Sequence, residues 1–309
     1  MENFTISVDA DGIALVTFDV PERSTNAISA GVQRDLDTLV ATIKGDDAIR
    51  GVVLQSGKAK GFCAGADLRE LPTDIARWRA ATAAGKPAEG VSDAGGFSTR
   101  VRAIETCGKP VVAAIAGHAL GGGLELALGC HYRVAVDDPA PLLALPEASL
   151  GLIPGGGGTQ RLLRLMGLNA ALPYLLDGTP ISPGDALASG VIHAVVPAVQ
   201  LIETARRWIL DGGDAIAPWD KKGFQIPGGG PHGAAGYLTF GPAMAARRAG
   251  PAGRAAATAN ILKVVYEGAQ VPIDAGLRIE SRYFFNTAHS DDAVAKIEKF
   301  MARDNSVKM

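Results

Sequence analysis

GHALGGGLELAL occupies residues 117–128. Gly121, Gly122 and Gly123 stand ahead of an apolar helical run. The backbone N–H groups around Gly122 therefore lie at the positive end of a helix dipole, with no carbonyl one turn earlier to accept them. VVAAI at 111–115 precedes this stretch and YRVAV at 132–136 follows it, and both read as buried strands. Strand, glycine turn, helix, strand is the order expected of an α/β core. Glu125 falls in the first helical turn, where an acid compensates the dipole. It is also the only charge in that helix, flanked by Leu124, Leu126 and Leu128. A carboxylate buried alone is costly unless it has a partner or a task, and we read Glu125 as functional.

Working outward, residues 4–8 and 13–18 alternate around Asp11-Gly12 and predict a hairpin. Ser29 caps a helix expected to run to Lys44, with Val32, Leu36, Leu39, Val40 and Ile43 on one face. A β-branched strand at 51–54 leads into GFCAGADL at 61–68. There the small residues Ala64, Gly65 and Ala66 let backbone approach a ligand, and a helix is expected to start at about Asp67. A tight turn with no ligand explains this motif equally well when it is taken alone. The small-residue run at 80–96 reads as a mobile loop, followed by a helix at 97–106. In LPEASLGLIPGGGGTQRL, at 145–162, the glycines 155–158 open a helix near Thr159, and Glu147 by itself reads as an ordinary turn residue. Ser182-Pro183 starts another helix, and 191–196 is the last clear strand. The expected organisation is a catalytic core over 1–200 and a helical region over 201–309. That region includes a Gly/Pro-rich linker near 227–236 and amphipathic helices at 255–268 and 291–303.

Composition narrows the function. Of 309 residues, 47% are hydrophobic and 20% charged, so the chain can bury a core; the net charge of −2 gives no field for nucleic acid or an anionic membrane. Cys63, Cys107 and Cys130 are too few and too far apart for a disulfide framework, which suits a reducing compartment. No CxxC or HExxH occurs, and His118, His131, His193, His232 and His289 are scattered, so no metal is expected. The first residues lack a basic and an apolar region, and no apolar stretch is long enough to span a bilayer. A cytoplasmic protein is the expectation.

Taken in order, the three glycine motifs closely resemble the signature of the crotonase (enoyl-CoA hydratase/isomerase) superfamily across residues 1–200. The resemblance implies an α/β fold, a spiral of ββα units with a helical C-terminal extension. It implies that Ala66 and Gly122 supply the two oxyanion-hole amides, that Glu125 and Glu147 are the catalytic glutamates, and that Gly155 positions the attacking water. Ala64, Gly65, Asp67 and Leu68 would form the segment that contacts coenzyme A. PERSTNAIS at 21–29 and PWDKKGFQIPGG at 218–229 resemble, more narrowly, the hydratase portion of multifunctional fatty-acid oxidation proteins. The expected reaction is then hydration of 2-trans-enoyl-CoA to 3-hydroxyacyl-CoA in β-oxidation, with no cofactor beyond the coenzyme A of the substrate. The alternatives are a Δ3-Δ2-enoyl-CoA isomerase and a non-catalytic acyl-CoA-binding subunit. No GxGxxG follows a predicted strand with an acid further on, as the fingerprint of a dehydrogenase requires, so a separate hydroxyacyl-CoA dehydrogenase is an expected partner. The resemblance also implies a homo-oligomer, a trimer or a dimer of trimers, unless the C-terminal helices cap that surface.

Overall fold

The computed structural model describes residues 1–59, 61–137, 141–249 and 255–306. Its strands are β1 (Phe4–Val8), β2 (Ile13–Phe18), β3 (Gly51–Ser56), β4 (Gly61–Cys63), β5 (Val111–Ile115), β6 (His118–Leu120), β7 (Tyr132–Val136), β8 (Leu143–Ala144) and β9 (Ala194–Val196). The first helices are α1 (Ala30–Gly45), α2 (Leu71–Ala83), α3 (Pro87–Ala94), α4 (Gly96–Glu105), α5 (Gly122–Leu128), α6 (Gly158–Met166) and α7 (Leu168–Asp177). There follow α8 (Pro183–Ala188), α9 (Leu201–Leu210), α10 (Ala234–Ala249), α11 (Ala255–Gly268), α12 (Ile273–Ala288) and α13 (Asp291–Ser306). A short 3-10 turn spans Pro146–Leu150.

The residues form two compact units, each drawn from three stretches of chain. The first comprises Met1–Ala66, Thr99–Ala144 and Pro180–Phe224. It holds a six-stranded sheet in the order β1-β2-β3-β5-β7-β9 and a three-stranded sheet β4-β6-β8. Among the described strand pairs the β1–β2 hairpin is antiparallel and the others are parallel. Phe4 and Phe18 face each other in the hairpin register and stack at 4.7 Å. Ile13, Val53, Val112 and Val134 cluster with Leu201, Ala205 and Ile209 of α9. The helix approaches so closely that a Cβ on Gly51 would sit 2.4 Å from Ile209 Cγ2. A strand buried along its whole length, as β5 is, carries the continuous apolar run typical of parallel sheets.

The second unit comprises Asp67–Ser98, Leu145–Thr179 and the described residues from Gln225 onward. Its apolar centre gathers Leu71, Ile75 and Trp78 of α2, Ala94 of α3, Leu152, Phe285 and Ala288 of α12, and Ala293 and Ile297 of α13. The compact units are thus interleaved along the chain, and α9, which follows residue 200, belongs to the sheet-bearing one. No described helix is long and apolar enough to cross a membrane.

Three local expectations are corrected. The helix expected from Asp67 begins at Leu71. Asp67 instead folds its own turn, its Oδ1 accepting from Arg69 N at 3.2 Å and its carbonyl from Glu70 N at 3.0 Å. The run at 80–96, expected to be a loop, is helical on both sides of Gly85. Its small residues are packing sites: a Cβ on Gly90 would meet the Phe285 ring at 2.5 Å, and one on Gly95 would meet Ser281 Oγ at 2.7 Å. Finally, β9 starts only at Ala194, because the buried Arg133 guanidinium captures the carbonyls of Gly190 (3.2 Å) and Val191 (2.7 Å).

His131 ties β5 to β7 and makes a testable acid-sensitive joint. The Val111 amide donates to its Nδ1 at 3.0 Å, so the proton must sit on Nε2, which donates to the Glu105 carbonyl at 3.0 Å. Burial, aided by the charge of Arg133, holds the imidazole below its usual value of 6.5. The unfolded state then binds the proton first as pH falls, so this stabilisation is complete above about pH 6.5 and is lost below it. Chemical denaturation from pH 8 to pH 5 should show stability falling in the wild type and a flatter profile in His131→Gln.

Candidate active site

In the first unit the motif at 61–66 is held by a buried asparagine. Asn26 Nδ2 donates to the carbonyls of Phe18 (2.7 Å) and Phe62 (3.2 Å) and to Ser56 Oγ (3.0 Å), while its Oδ1 accepts from Val20 N at 2.9 Å. Its own carbonyl receives the Ala64 amide at 2.9 Å, and Ile28 N donates to Gly65 O at 2.8 Å. Among the described hydrogen bonds of this segment none uses the Ala66 N–H. Asn26 was not singled out from the sequence; its signal was an asparagine set between strand and helix in PERSTNAIS, where polar side chains brace loops.

Glycines then bring the second motif onto the first. Gly65 has φ +101°, and a Cβ there would lie 3.0 Å from Leu120 O and 3.5 Å from Gly122 N. Gly121 caps α5 at φ 52°, a conformation open chiefly to glycine, and its amide donates to Ala144 O at 2.8 Å. Ala64, Gly65, Ala66, Gly122 and Glu125 are thereby assembled within one unit. The Gly122 amide opens α5, where the dipole is positive, and Glu125 sits in the same turn with 3% of its surface exposed.

The second unit carries Asp67, Leu68, Glu147 and Gly155. Asp67 is buried and binds the exposed Arg69 through Oδ1 and Oδ2 (3.0 and 3.4 Å). Glu147 is half-buried in the 3-10 turn, its carbonyl accepting from Leu152 N at 3.0 Å. That turn is closed by Gly151 in the left-handed region and backed by α7, since a Cβ on Gly178 would touch Pro146 Cα at 2.8 Å. Buried residues 152–154 lead to Gly155, where a Cβ would strike the Phe284 ring at 2.7 Å.

The TQRLLR run that follows is a second feature the sequence reading left unassigned. Thr159, Gln160, Arg161 and Arg164 are all buried. Gln160 fills the space beside Gly268 and Gly276, and Arg164 Nη2 donates to the carbonyls of Gly268 (3.0 Å) and Val271 (2.8 Å). These polar groups receive α11 and α12. Among the described residues no group of three or more His, Cys, Asp or Glu is placed to hold a metal ion.

The comparisons with known proteins follow the same lines. A family profile described as "Enoyl-CoA hydratase/isomerase" matches residues 9–211. The fatty acid oxidation complex subunit alpha of Shewanella baltica is 38% identical over 302 residues, which is 97% of this chain and 41% of that protein. The chain therefore spans less than half the length of such relatives. An enoyl-CoA hydratase structure from Bacillus anthracis is 28% identical, covering 97% of this chain and 96% of that one with a TM-score of 0.57. A carnitinyl-CoA dehydratase structure from Mycobacterium thermoresistibile, at 24% identity and with 97% and 90% of the two chains covered, shares the fold with a TM-score of 0.72.

Proposed function

The chain belongs to the crotonase (enoyl-CoA hydratase/isomerase) family, and from that premise we propose that it hydrates 2-trans-enoyl-CoA thioesters to 3-hydroxyacyl-CoA as a step of fatty-acid oxidation. The observation that carries this reading is Glu125, a carboxylate buried in the first turn of α5 beside the Gly122 amide. As water attacks the β-carbon, negative charge gathers on the thioester oxygen. Backbone donors pre-aimed at that oxygen, here the Ala66 and Gly122 amides, lower the barrier by roughly 3–4 kcal/mol each. Glu125 takes the proton from water, which the Gly155 amide orients, and Glu147 returns a proton to the α-carbon. Coenzyme A is held along Ala64, Gly65, Asp67 and Leu68.

Retention of two acidic groups favours hydration over isomerisation, because moving a double bond needs one group that takes and returns a proton. No cofactor enters this chemistry. We place the protein in the cytoplasm, acting in step with a hydroxyacyl-CoA dehydrogenase, as a homo-oligomer unless α10–α13 cap the self-association surface.

The deciding experiment supplies crotonyl-CoA and a 3-enoyl-CoA to the purified chain and identifies the products. Loss of the conjugated absorbance with formation of 3-hydroxybutyryl-CoA is expected. Formation of a 2-enoyl-CoA from the 3-enoyl substrate without any hydration would assign the isomerase instead. Binding of coenzyme A thioesters with no turnover would leave only a carrier subunit.

A further inference from the structure

The glycine loop that carries Gly155 is held by a residue far along the chain. Glu280 of α12 is completely buried, and its carboxylate accepts hydrogen bonds from Gly157 N (2.6 Å), Thr159 N (3.0 Å) and Thr159 Oγ1 (2.5 Å). Helix α6 begins at Gly158 and carries no side-chain cap of its own. Its first amides are therefore satisfied by an acid 121 to 123 residues away. An anionic acceptor at a helix N-terminus also interacts favourably with the dipole.

The same helix holds the loop at a second point. One turn after Glu280, the Phe284 ring stands where a Cβ on Gly155 would fall. Gly157 is fixed from its other side, with φ +102° and with Arg161 Nη1 and Leu277 Cδ2 filling the room beside its α-carbon. Residues 155–159 are thus held from α12 on one side, with Arg161 of their own helix donating to the Gly156 carbonyl at 3.0 Å on the other. A loop of glycines has little stiffness of its own, so whatever points its amides must come from outside it.

We propose that Glu280 is a positioning residue for the hydration step, fixing the direction of the Gly155 amide through Gly157 and Thr159. This rests on the reading that Gly155 orients the attacking water. Glu280 touches neither substrate nor water; its effect is on the alignment of a group that does. A bare structural cap would stabilise the fold and leave the chemistry of the folded molecules untouched. A positioning residue lowers kcat in molecules that remain folded and still bind thioester.

The test uses the full chain with Glu280→Gln and Thr159→Val. In Glu280→Gln one carboxylate oxygen becomes an NH2 group, which cannot accept, so either Gly157 N or the two Thr159 donors lose their acceptor and the loop must turn. Misplacing a reacting group by about 1 Å costs on the order of 10²-fold in rate. The expected result is a fall of that order in kcat for crotonyl-CoA hydration. The KM, and the affinity for the unreactive saturated thioester butyryl-CoA measured by calorimetry, should stay at wild-type values. Thr159→Val removes the Oγ1 bond to Glu280, together with the bond that Oγ1 accepts from Gln160 Nε2, and keeps the side-chain shape; it should show the same split with a smaller fall, and it decides the matter if Glu280→Gln does not fold. Wild-type kcat in a folded Glu280→Gln protein, or in Thr159→Val where the first variant is unfolded, would overturn the proposal. So would kcat and butyryl-CoA binding capacity falling together with the folded fraction. A wild-type chain that hydrates nothing removes the parent reading as well, whereas active wild type with unaffected variants removes this one alone.

Discussion

Glu125→Gln is expected to slow crotonyl-CoA hydration by about 10²–10⁴-fold, the usual contribution of a positioned acid–base group. The substitution keeps the shape of the side chain and its place between Leu124 and Leu126, in a helix whose seven residues are all buried. An amide is also easier to bury than a carboxylate, so the variant should melt no lower than the wild type. Activity and stability are thereby separated: a rate loss at unchanged thermal midpoint is chemistry. Glu147→Gln, in the half-buried 3-10 turn, should lose activity by a comparable factor. Near-normal turnover in either variant would take that glutamate out of the mechanism.

Gly123→Ala should damage both stability and rate. The added Cβ would fall 2.3 Å from the Cys63 carbonyl oxygen and 2.7 Å from Cys63 Cβ, so backbone would have to move. Overpacking of this kind typically costs about 1–3 kcal/mol. The displacement opens α5 away from the end of β4, the contact that keeps Gly122 near Gly65 and Ala66. The Ala66 and Gly122 amides would then no longer converge, and kcat should drop beyond the loss of folded protein. Gly45→Ala is the matched control. Gly45 ends α1, nothing lies within 4 Å of its would-be Cβ, and its φ is not in the left-handed region. That change should leave the rate alone and raise stability by roughly 0.4–1 kcal/mol through the unfolded chain. Equal thermal midpoints for the two variants would contradict the packing argument.

What could be read from the sequence was whatever has a short period or a local cap. Ser29 accepts from Val32 N and starts α1 as expected, and Ser182 does the same for α8 through Asp185 N. Tyr132–Val136 and Val111–Ile115 form the strands their β-branched runs predict. Of the candidate site, the glycine turn ahead of Glu125 was legible because helix polarity and burial cost are local arguments.

Other features depended on partners far along the chain. The run at 80–96 looks like a loop because glycine and alanine have no apolar period, yet Gly90 and Gly95 are small so that α12 can approach. Glu280, in RIESRYFF, has the look of a solvated acid on an amphipathic helix. Only the arrival of Gly157 and Thr159 gives it a reason to be buried. Asp67 was misread for the opposite cause: its side chain competes with the helix it was expected to open and delays it to Leu71. The interleaving of the two compact units leaves no compositional mark at Ala66 or Ala144 at all.

The bond between Glu280 and the start of α6 also sets a timetable. Translation adds about 5–20 residues per second, so Thr159 leaves the ribosome's catalytic centre 121 residues, or on the order of ten seconds, before its carboxylate partner exists. During that interval the amides of Gly157 and Thr159 lack Glu280, Arg164 lacks the carbonyls of Gly268 and Val271, and Leu71, Ile75 and Trp78 lack the helices that will cover them. The nascent chain thus passes through a stage in which every stretch of the sheet-bearing unit has been made while the helical unit still lacks α12 and α13.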